Sequence, residues 1–193
     1  MSPRLRPLIL VVAATPQELA PPDGWETLVC GVGPVEAAHA TARRLAMSPP
    51  AAVLHVGIAG ARRASALPLA TLVVGTDARY SDLGVGPEWA PGVVTPSATL
   101  LDAVRRALPH APERRIGTSG RVGGSSGCDV EAMEGFAVLR AAEAAGIPAV
   151  EVRAISNAVE EPDRARWDIA GALAAITGVT PALVAAMREA WHG

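Results

Sequence analysis

Lysine is absent from the 193-residue chain, because all 17 basic residues are arginine. A chain without lysine cannot form a Schiff base with a substrate, and it lacks the lysine of Walker-type nucleotide loops. Aromatic residues make up only 3% of the sequence, and the formal net charge is −2. Nucleic-acid binding is therefore not expected, because it relies on a basic surface and on aromatic side chains that stack on bases.

Cysteine is scarce as well. Cys30 and Cys128 are the two cysteines of the chain, and their spacing matches no metal-binding or redox motif. We expect buried, reduced thiols in a cytoplasmic protein that needs neither metal nor cofactor. Residues 8–14 are apolar and follow Arg4 and Arg6, but the run is too short for a secretory signal and is interpreted as a first strand. No apolar run predicts a transmembrane helix, so a membrane partner is not expected.

The remaining composition predicts a globular α/β protein. Half of the residues are hydrophobic and 19% are charged, which indicates one folded domain over residues 1–193. Apolar runs typical of strands alternate with helical patterns, and this order predicts a three-layer α/β/α domain with a mainly parallel or mixed sheet. Strands are predicted at 8–14, 25–31, 52–56, 69–76, 115–118, 128–133 and 149–155, and helices at 34–47, 99–108, 135–145, 167–177 and 181–191.

Polar side chains fall at the carboxyl ends of predicted strands, where open α/β sheets bind ligands. Glu134 stands between a strand and a helix, Arg153 lies inside an apolar strand, and Asn157 follows that strand. Singly, Glu134 is equally well explained as a carboxylate on a helix dipole, and Arg153 as a buried ion pair. His55, beside an apolar run, is predicted to be a core histidine.

The combination of motifs is more specific than its parts. Met-Glu-Gly at 133–135, Gly-Ile-Pro at 146–148 and Val-Arg-Ala-Ile-Ser-Asn at 152–157 resemble the C-terminal signature of the nucleoside phosphorylase/nucleosidase superfamily. Residues 130–135, 155–157 and 164–169 are similar, more narrowly, to futalosine hydrolases. The resemblance implies a homo-oligomeric purine nucleoside hydrolase that releases hypoxanthine from futalosine, a step of menaquinone biosynthesis.

The same resemblance implies roles for individual residues. Glu18 would position and deprotonate the attacking water, and Glu134 would accept hydrogen bonds from the ribose hydroxyls. Arg153 would orient Glu134 or the water, and Asn157 would contact the base, so Glu18, Arg153 and Asn157 form the expected catalytic set. The expected substrate-binding set consists of Gly57, Ile58, Ser119, Met133, Glu134 and Ser156.

Two positions bear on the nucleophile and on the base. Phosphorylases of this superfamily hold phosphate with arginine and serine at positions that match His55 and Ile58, and an isoleucine side chain offers phosphate no donor. Water is therefore the expected nucleophile. Adenine-cleaving relatives carry aspartate where this chain has Asn157. An amide can donate to O6 and accept from N7–H of a 6-oxopurine, whereas a carboxylate repels O6, so hypoxanthine is the expected leaving base.

Two alternatives stay open at this point. The chain could be a nucleosidase for adenine-bearing substrates such as methylthioadenosine, adenosylhomocysteine or aminodeoxyfutalosine. It could instead bind nucleosides without catalysis, because Ile58 is unusual and the Gly/Ser-rich loop at 119–127 has no aromatic residue to stack on a purine. Arg79 and Arg121 are the candidate partners for a carboxylate on the substrate's 5′ substituent.

Overall fold

The computed structural model describes residues 7–123 and 127–191. Within these residues, eight strands and four α-helices alternate along the chain. The strands are β1 (Ile9–Ala13), β2 (Glu26–Val29), β3 (Ala52–Ala61), β4 (Leu72–Tyr80), β5 (Val93–Val94), β6 (Glu113–Thr118), β7 (Val130–Ala132) and β8 (Ala149–Ala158). The helices are α1 (Pro34–Met47), α2 (Ala98–Ala107), α3 (Gly135–Ala144) and α4 (Ile169–Ala190).

All eight strands belong to one mixed sheet. Strand β1 pairs in parallel with β2 and β3, and β3 pairs in parallel with β8. The pairings then run from β8 to β4, from β4 to β6 and from β6 to β7, and β7 pairs with β3. Strand β5 pairs with β4. Three of the eight pairings are antiparallel, namely β3–β7, β4–β5 and β4–β8, so the prediction of a mainly parallel, mixed sheet is confirmed.

Helices cover both faces of the sheet because neighbouring residues of β1 are buried on opposite sides. Ile9, Val11 and Ala13 pack with side chains of α2 and α4. Leu10 and Val12 pack with side chains of α1 and α3. The predicted three-layer α/β/α architecture is therefore confirmed, and the single sheet supports the proposal of one domain.

Strands β3 and β8 extend further than the sequence predicts, and both carry site residues. Strand β3 was predicted to end at residue 56 and continues to Ala61, and β8 was predicted to end at residue 155 and continues to Ala158. The two strands pair along their whole length, with a register shift between Ala59 and Gly60. Pairing with a partner strand therefore prolongs each strand beyond its own apolar run.

The C-terminal region corrects two predictions. The helices predicted at 167–177 and 181–191 form one helix, α4, with Pro181 inside it. Its buried face runs from Thr180, just before the proline, to Leu183 and Val184 beyond it, so packing overrides the local helix-breaking preference of proline. Helix α4 is also long and apolar enough to span a membrane, and 28% of its most apolar 18-residue segment is buried. The buried residues of α4 pack against α2 and the sheet.

Candidate active site

The carboxyl ends of β1, β3 and β8 and the start of α3 surround a cavity of about 460 Å³. Most of the side chains predicted to form the site meet here. The predicted residues in the cavity wall are Glu18, Ile58, Met133, Glu134, Ser156 and Asn157. Cys30 and Cys128, at the edges of nearby strands, are buried thiols as expected.

Glu18 lies in a short 3₁₀ helix, Pro16–Glu18, that follows β1 directly. Its side chain is fixed through both oxygens, and the residue is 4% exposed. Oε1 accepts a hydrogen bond of 3.0 Å from the backbone N–H of Ile58. Oε2 accepts from the backbone N–H and from the hydroxyl of Thr15, both at 2.9 Å. These three hydrogen bonds fix the orientation of the side chain toward the cavity.

Glu134 occupies the N-cap position of α3, so the break between β7 and the helix sets its side chain in the cavity wall. Oε1 accepts a hydrogen bond of 3.0 Å from the backbone N–H of Gly33. Oε2 lies 3.6 Å from Nη2 of Arg153. Burial raises the pKa of Glu134 above 4.5, against the opposing influence of Arg153 and the Gly33 N–H.

Arg153 is completely buried and does not line the cavity. It lies behind the wall, where its guanidinium contacts Glu134, and Nη1 lies 3.5 Å from the carbonyl oxygen of Ile58. Gly57 provides the space for this arrangement. A Cβ atom at Gly57 would lie 2.7 Å from Oε1 of Glu18 and closer still to Nη1 of Arg153. The geometry therefore supports positioning roles for Arg153 and Gly57.

Asn157 and Ser156 both line the cavity from β8. Oδ1 of Asn157 lies 2.8 Å from the hydroxyl of Ser156, and Nδ2 donates to the carbonyl oxygen of Ala158 at 2.9 Å. A carboxamide has two N–H donors and an oxygen with two lone pairs. The amide of Asn157 thus retains one donor and one acceptor for a ligand.

Ser119 lies outside the cavity wall. It is 1% exposed, and its hydroxyl lies 3.0 Å from Oδ2 of Asp82. It also accepts a hydrogen bond from the backbone N–H of Arg121. Ser119 therefore anchors the start of the predicted loop at 119–127, of which residues 124–126 lie outside the described residues.

Several residues of the wall were not predicted as site residues. Thr15 supplies two donors to Glu18, and Glu131 of β7 is paired with Arg62. Trp167 is an aromatic side chain in the wall, with Nε1 donating to the carbonyl oxygen of Glu161 at 3.1 Å. A useful signal for Trp167 was its place in the stretch at 164–169 that resembles futalosine hydrolases. Glu131 had a similar signal, because it belongs to the stretch at 130–135, whereas Thr15 lies outside the stretches that carry the resemblance.

The structure separates the two arginines considered for a 5′ carboxylate. Arg121 lines the cavity, and it is the only basic side chain among the described residues of the wall. Arg79 lies in a different depression and is paired with Asp77, with Nε 2.9 Å from Oδ1.

Comparison with known proteins identifies relatives of this chain by sequence. A family model described as the phosphorylase superfamily matches residues 27–186. A futalosine hydrolase of Streptomyces coelicolor is 37% identical over 196 residues, covering 88% of this chain and 82% of the relative. A futalosine hydrolase of Acidothermus cellulolyticus is 33% identical over 164 residues, covering 82% of this chain and 60% of the relative.

Solved structures share the fold. A futalosine hydrolase mutant of Helicobacter pylori has a TM-score of 0.81 at 17% identity, covering 93% of this chain and 99% of its own. An MTA/SAH nucleosidase of Streptococcus pneumoniae, in complex with 8-aminoadenine, has a TM-score of 0.80 at 20% identity with the same coverage. From the family match and the Streptomyces relative, which is 37% identical and covered to 82%, the chain belongs to the phosphorylase superfamily and, within it, to the futalosine hydrolase family.

Proposed function

We propose that the protein is a nucleosidase that hydrolyses the N-ribosidic bond of futalosine, giving hypoxanthine and dehypoxanthinyl futalosine in menaquinone biosynthesis. The observation that carries this proposal is the wall of one cavity, where Glu18, Glu134 and Asn157 meet. Family membership supports the same substrate, because the relatives at 37% and 33% identity are futalosine hydrolases.

In the proposed reaction, water attacks C1′ of the ribose while the bond to the purine nitrogen breaks. Glu18 accepts the proton of the water, a general-base contribution of about 10²–10⁴-fold. The hydrogen bonds from Ile58 and Thr15 hold its carboxylate in one orientation. Phosphate is not expected to replace water, because the described wall contains one basic side chain, Arg121, and Ile58 offers no side-chain donor.

Glu134 is proposed to accept hydrogen bonds from the ribose hydroxyls. Its negative charge stabilises the positive charge that develops on the sugar as the glycosidic bond breaks. Arg153, 3.6 Å from Oε2, favours the ionised carboxylate and so opposes the rise in the pKa of Glu134 that burial causes.

Asn157 is proposed to select the base. As the bond breaks, the base takes up one proton at N7, which balances the proton that Glu18 removes from water. The free N–H of Asn157 donates to O6 of hypoxanthine, and its oxygen accepts a hydrogen bond from N7–H. Adenine presents a donor in place of O6, so one of these contacts is mismatched, at a cost of about 1–3 kcal/mol in a buried site.

A nucleosidase for adenine-bearing substrates is the second candidate. This chain shares its fold with an MTA/SAH nucleosidase, at a TM-score of 0.80, and the fold is compatible with release of either adenine or hypoxanthine. Base release decides between the two functions. Futalosine, aminodeoxyfutalosine, methylthioadenosine and inosine are incubated with the enzyme, each with and without phosphate, and the products are separated by chromatography.

We expect hypoxanthine from futalosine as the fastest reaction, at a rate that phosphate does not change. Release of adenine that is faster than release of hypoxanthine would support the second candidate instead. No release from any substrate, together with persistent purine binding, would favour a non-catalytic nucleoside-binding protein.

We further propose a homo-oligomer in the cytoplasm. Apolar side chains are exposed at the mouth of the cavity, where Val32, Val122 and Ile169 are 56%, 49% and 40% exposed. A second copy that covered them would remove apolar surface from water. Light scattering after gel filtration measures the subunit number, and a strictly monomeric protein at micromolar concentration would contradict the proposal.

A further inference from the structure

Behind the cavity wall, two side chains with no part in the proposed reaction hold Arg153. Glu151 precedes it by two residues on β8, and its Oε1 accepts a hydrogen bond of 2.8 Å from Nε of Arg153. His55 of β3 contacts Nη2 of Arg153 through Nε2. Glu151 and His55 are 1% and 0% exposed, so no ligand reaches either of them.

The contacts of His55 determine its protonation. Nδ1 lies 2.9 Å from the carbonyl oxygen of Val12 in β1. A carbonyl only accepts and a guanidinium only donates, so Nδ1 carries the proton and Nε2 accepts from Arg153. Burial and the neighbouring Arg153 hold the pKa of His55 well below 6.5. The imidazole is therefore a neutral acceptor whose orientation is set from β1.

Space for the Glu151 carboxylate depends on a glycine at the start of α3. A Cβ atom at Gly135 would lie 2.5 Å from Oε2 of Glu151 and closer still to Oε1. Oε2 has no hydrogen-bond partner among the described residues. A buried carboxylate that leaves one oxygen unsatisfied costs free energy, so its hydrogen bond to Arg153 is the contact that accounts for its place.

We propose that Glu151 and His55 are positioning residues that fix the guanidinium of Arg153 beside Glu134. Nε is occupied by Glu151, Nη2 by His55, and Nη1 faces the carbonyl oxygen of Ile58. A planar guanidinium held at three nitrogens cannot rotate, and Nη2 then remains 3.6 Å from Oε2 of Glu134. This inference rests on the proposed function, because it assigns Glu151 and His55 to the reaction through Glu134.

The charges that face Glu134 determine what displacement of Arg153 would do. Arg153 lowers the pKa of Glu134, and Glu18 raises it. Glu151 also repels Glu134, but less strongly than Arg153 attracts it, and the thiol of Cys30, whose pKa is raised to about 12, is neutral. If Arg153 moves away, the pKa of Glu134 rises, and the acid limb of the pH–rate profile shifts to higher pH.

The test compares Glu151→Leu with Glu151→Gln, and His55→Leu with His55→Gln. Each leucine removes the acceptor, whereas each glutamine keeps an oxygen that can accept from Arg153. We expect both leucine variants to lower kcat by about 10²-fold, the effect of misplacing a catalytic group by about 1 Å, with KM changed less than about threefold. Their acid limbs should lie at higher pH than that of the wild type, and the glutamine variants should recover most of both losses.

Leu100→Ala is the control for lost stability. Leu100 of α2 is 1% exposed, packs in the hydrophobic core and does not line the cavity. This variant should melt at a lower temperature and keep the wild-type kcat and pH profile. Wild-type kcat and pH profile in both leucine variants, or equal losses in the leucine and glutamine variants, would overturn the inference.

A second measurement does not depend on turnover. The protein is labelled with ¹³C at the glutamate side-chain carboxyl, and the signal of Glu134 is assigned with Glu134→Gln. Glu151→Leu should raise the pKa observed for Glu134, and Glu151→Gln should not. An unchanged titration in Glu151→Leu overturns the positioning role, whereas absence of base release by the wild type overturns only the proposed function.

Discussion

Gly135→Ala should destabilise the protein although the position is otherwise suited to alanine. Gly135 is the first residue of α3 and does not have a positive φ. At such a position alanine normally stabilises by about 0.4–1 kcal/mol, because it restricts the unfolded chain. Here the new Cβ would lie 2.5 Å from Oε2 of Glu151. Overpacking of a rigid site costs about 1–3 kcal/mol, so the clash determines the sign.

A double-mutant cycle with Glu151→Val isolates the clash. Glu151→Val alone removes a buried partner of Arg153 and should cost about 3–5 kcal/mol. In that background the methyl group of Gly135→Ala meets no carboxylate, and the substitution should stabilise by about 0.4–1 kcal/mol. The sign of the effect therefore reverses, with a coupling free energy of about 1–3 kcal/mol.

The four proteins of the cycle are unfolded in urea and followed by circular dichroism. Gly178→Ala is the matched control, because a Cβ there meets nothing within 4 Å. It should stabilise by about 0.5–1 kcal/mol in both backgrounds, as expected for glycine inside a helix. A coupling between Gly135→Ala and Glu151→Val below about 0.5 kcal/mol, within ordinary additivity, would refute the proposed contact.

Three other predictions concern specificity and pH. Asn157→Asp should lower kcat/KM for futalosine relative to aminodeoxyfutalosine by about 5- to 150-fold, and an unchanged ratio in competition assays would contradict the role of the amide. Arg121→Met should raise KM for futalosine at least about tenfold but leave inosine unaffected, with Arg79→Met as the control; equal effects on both substrates would exclude a 5′ carboxylate contact. Burial keeps His55 neutral in the folded state, with a pKa well below 6.5, whereas the unfolded chain binds its proton below that pH. Its contribution to stability is therefore complete above pH 6.5 and is lost as the pH falls toward the folded-state pKa, at about 1.4 kcal/mol per pH unit. Between pH 6.5 and 5.5 the wild type should lose about 1 kcal/mol more stability than His55→Gln, and an equal loss of stability in the two proteins would contradict a neutral His55.

The sequence predicts the layers of the fold because burial on both faces leaves a strong periodic signal. The run at residues 8–14 predicts β1, and the helix predicted at 34–47 matches α1 as observed. The continuous α4 was missed, because a proline is a local signal whereas the buried face that carries the helix past Pro181 is a tertiary one.

The candidate site was predictable where residues belong to a motif. Glu134 and Asn157 are found by resemblance, and the structure places both in one cavity. Glu151 was missed because its contacts exist only in the folded chain. Its partner Arg153 lies two residues along the same strand, and its neighbours Gly135 and Gly75 lie on α3 and β4. His55 is a core histidine, as predicted, and its contact with Arg153 depends on pairing of β3 with β8.

The register shift between β3 and β8 determines which side chains a substrate can meet. Ile155 pairs with Ala59 and Asn157 pairs with Gly60, so Ser156 is an additional residue on β8, as in a β-bulge. In a regular strand, successive side chains point to opposite faces, yet Ser156 and Asn157 both line the cavity. Deleting Ser156 would restore the alternation, leave Asn157 paired with Gly60, and remove the hydroxyl that contacts Oδ1 of Asn157. Specificity for the base thus depends on the number of residues in this strand as well as on their identity.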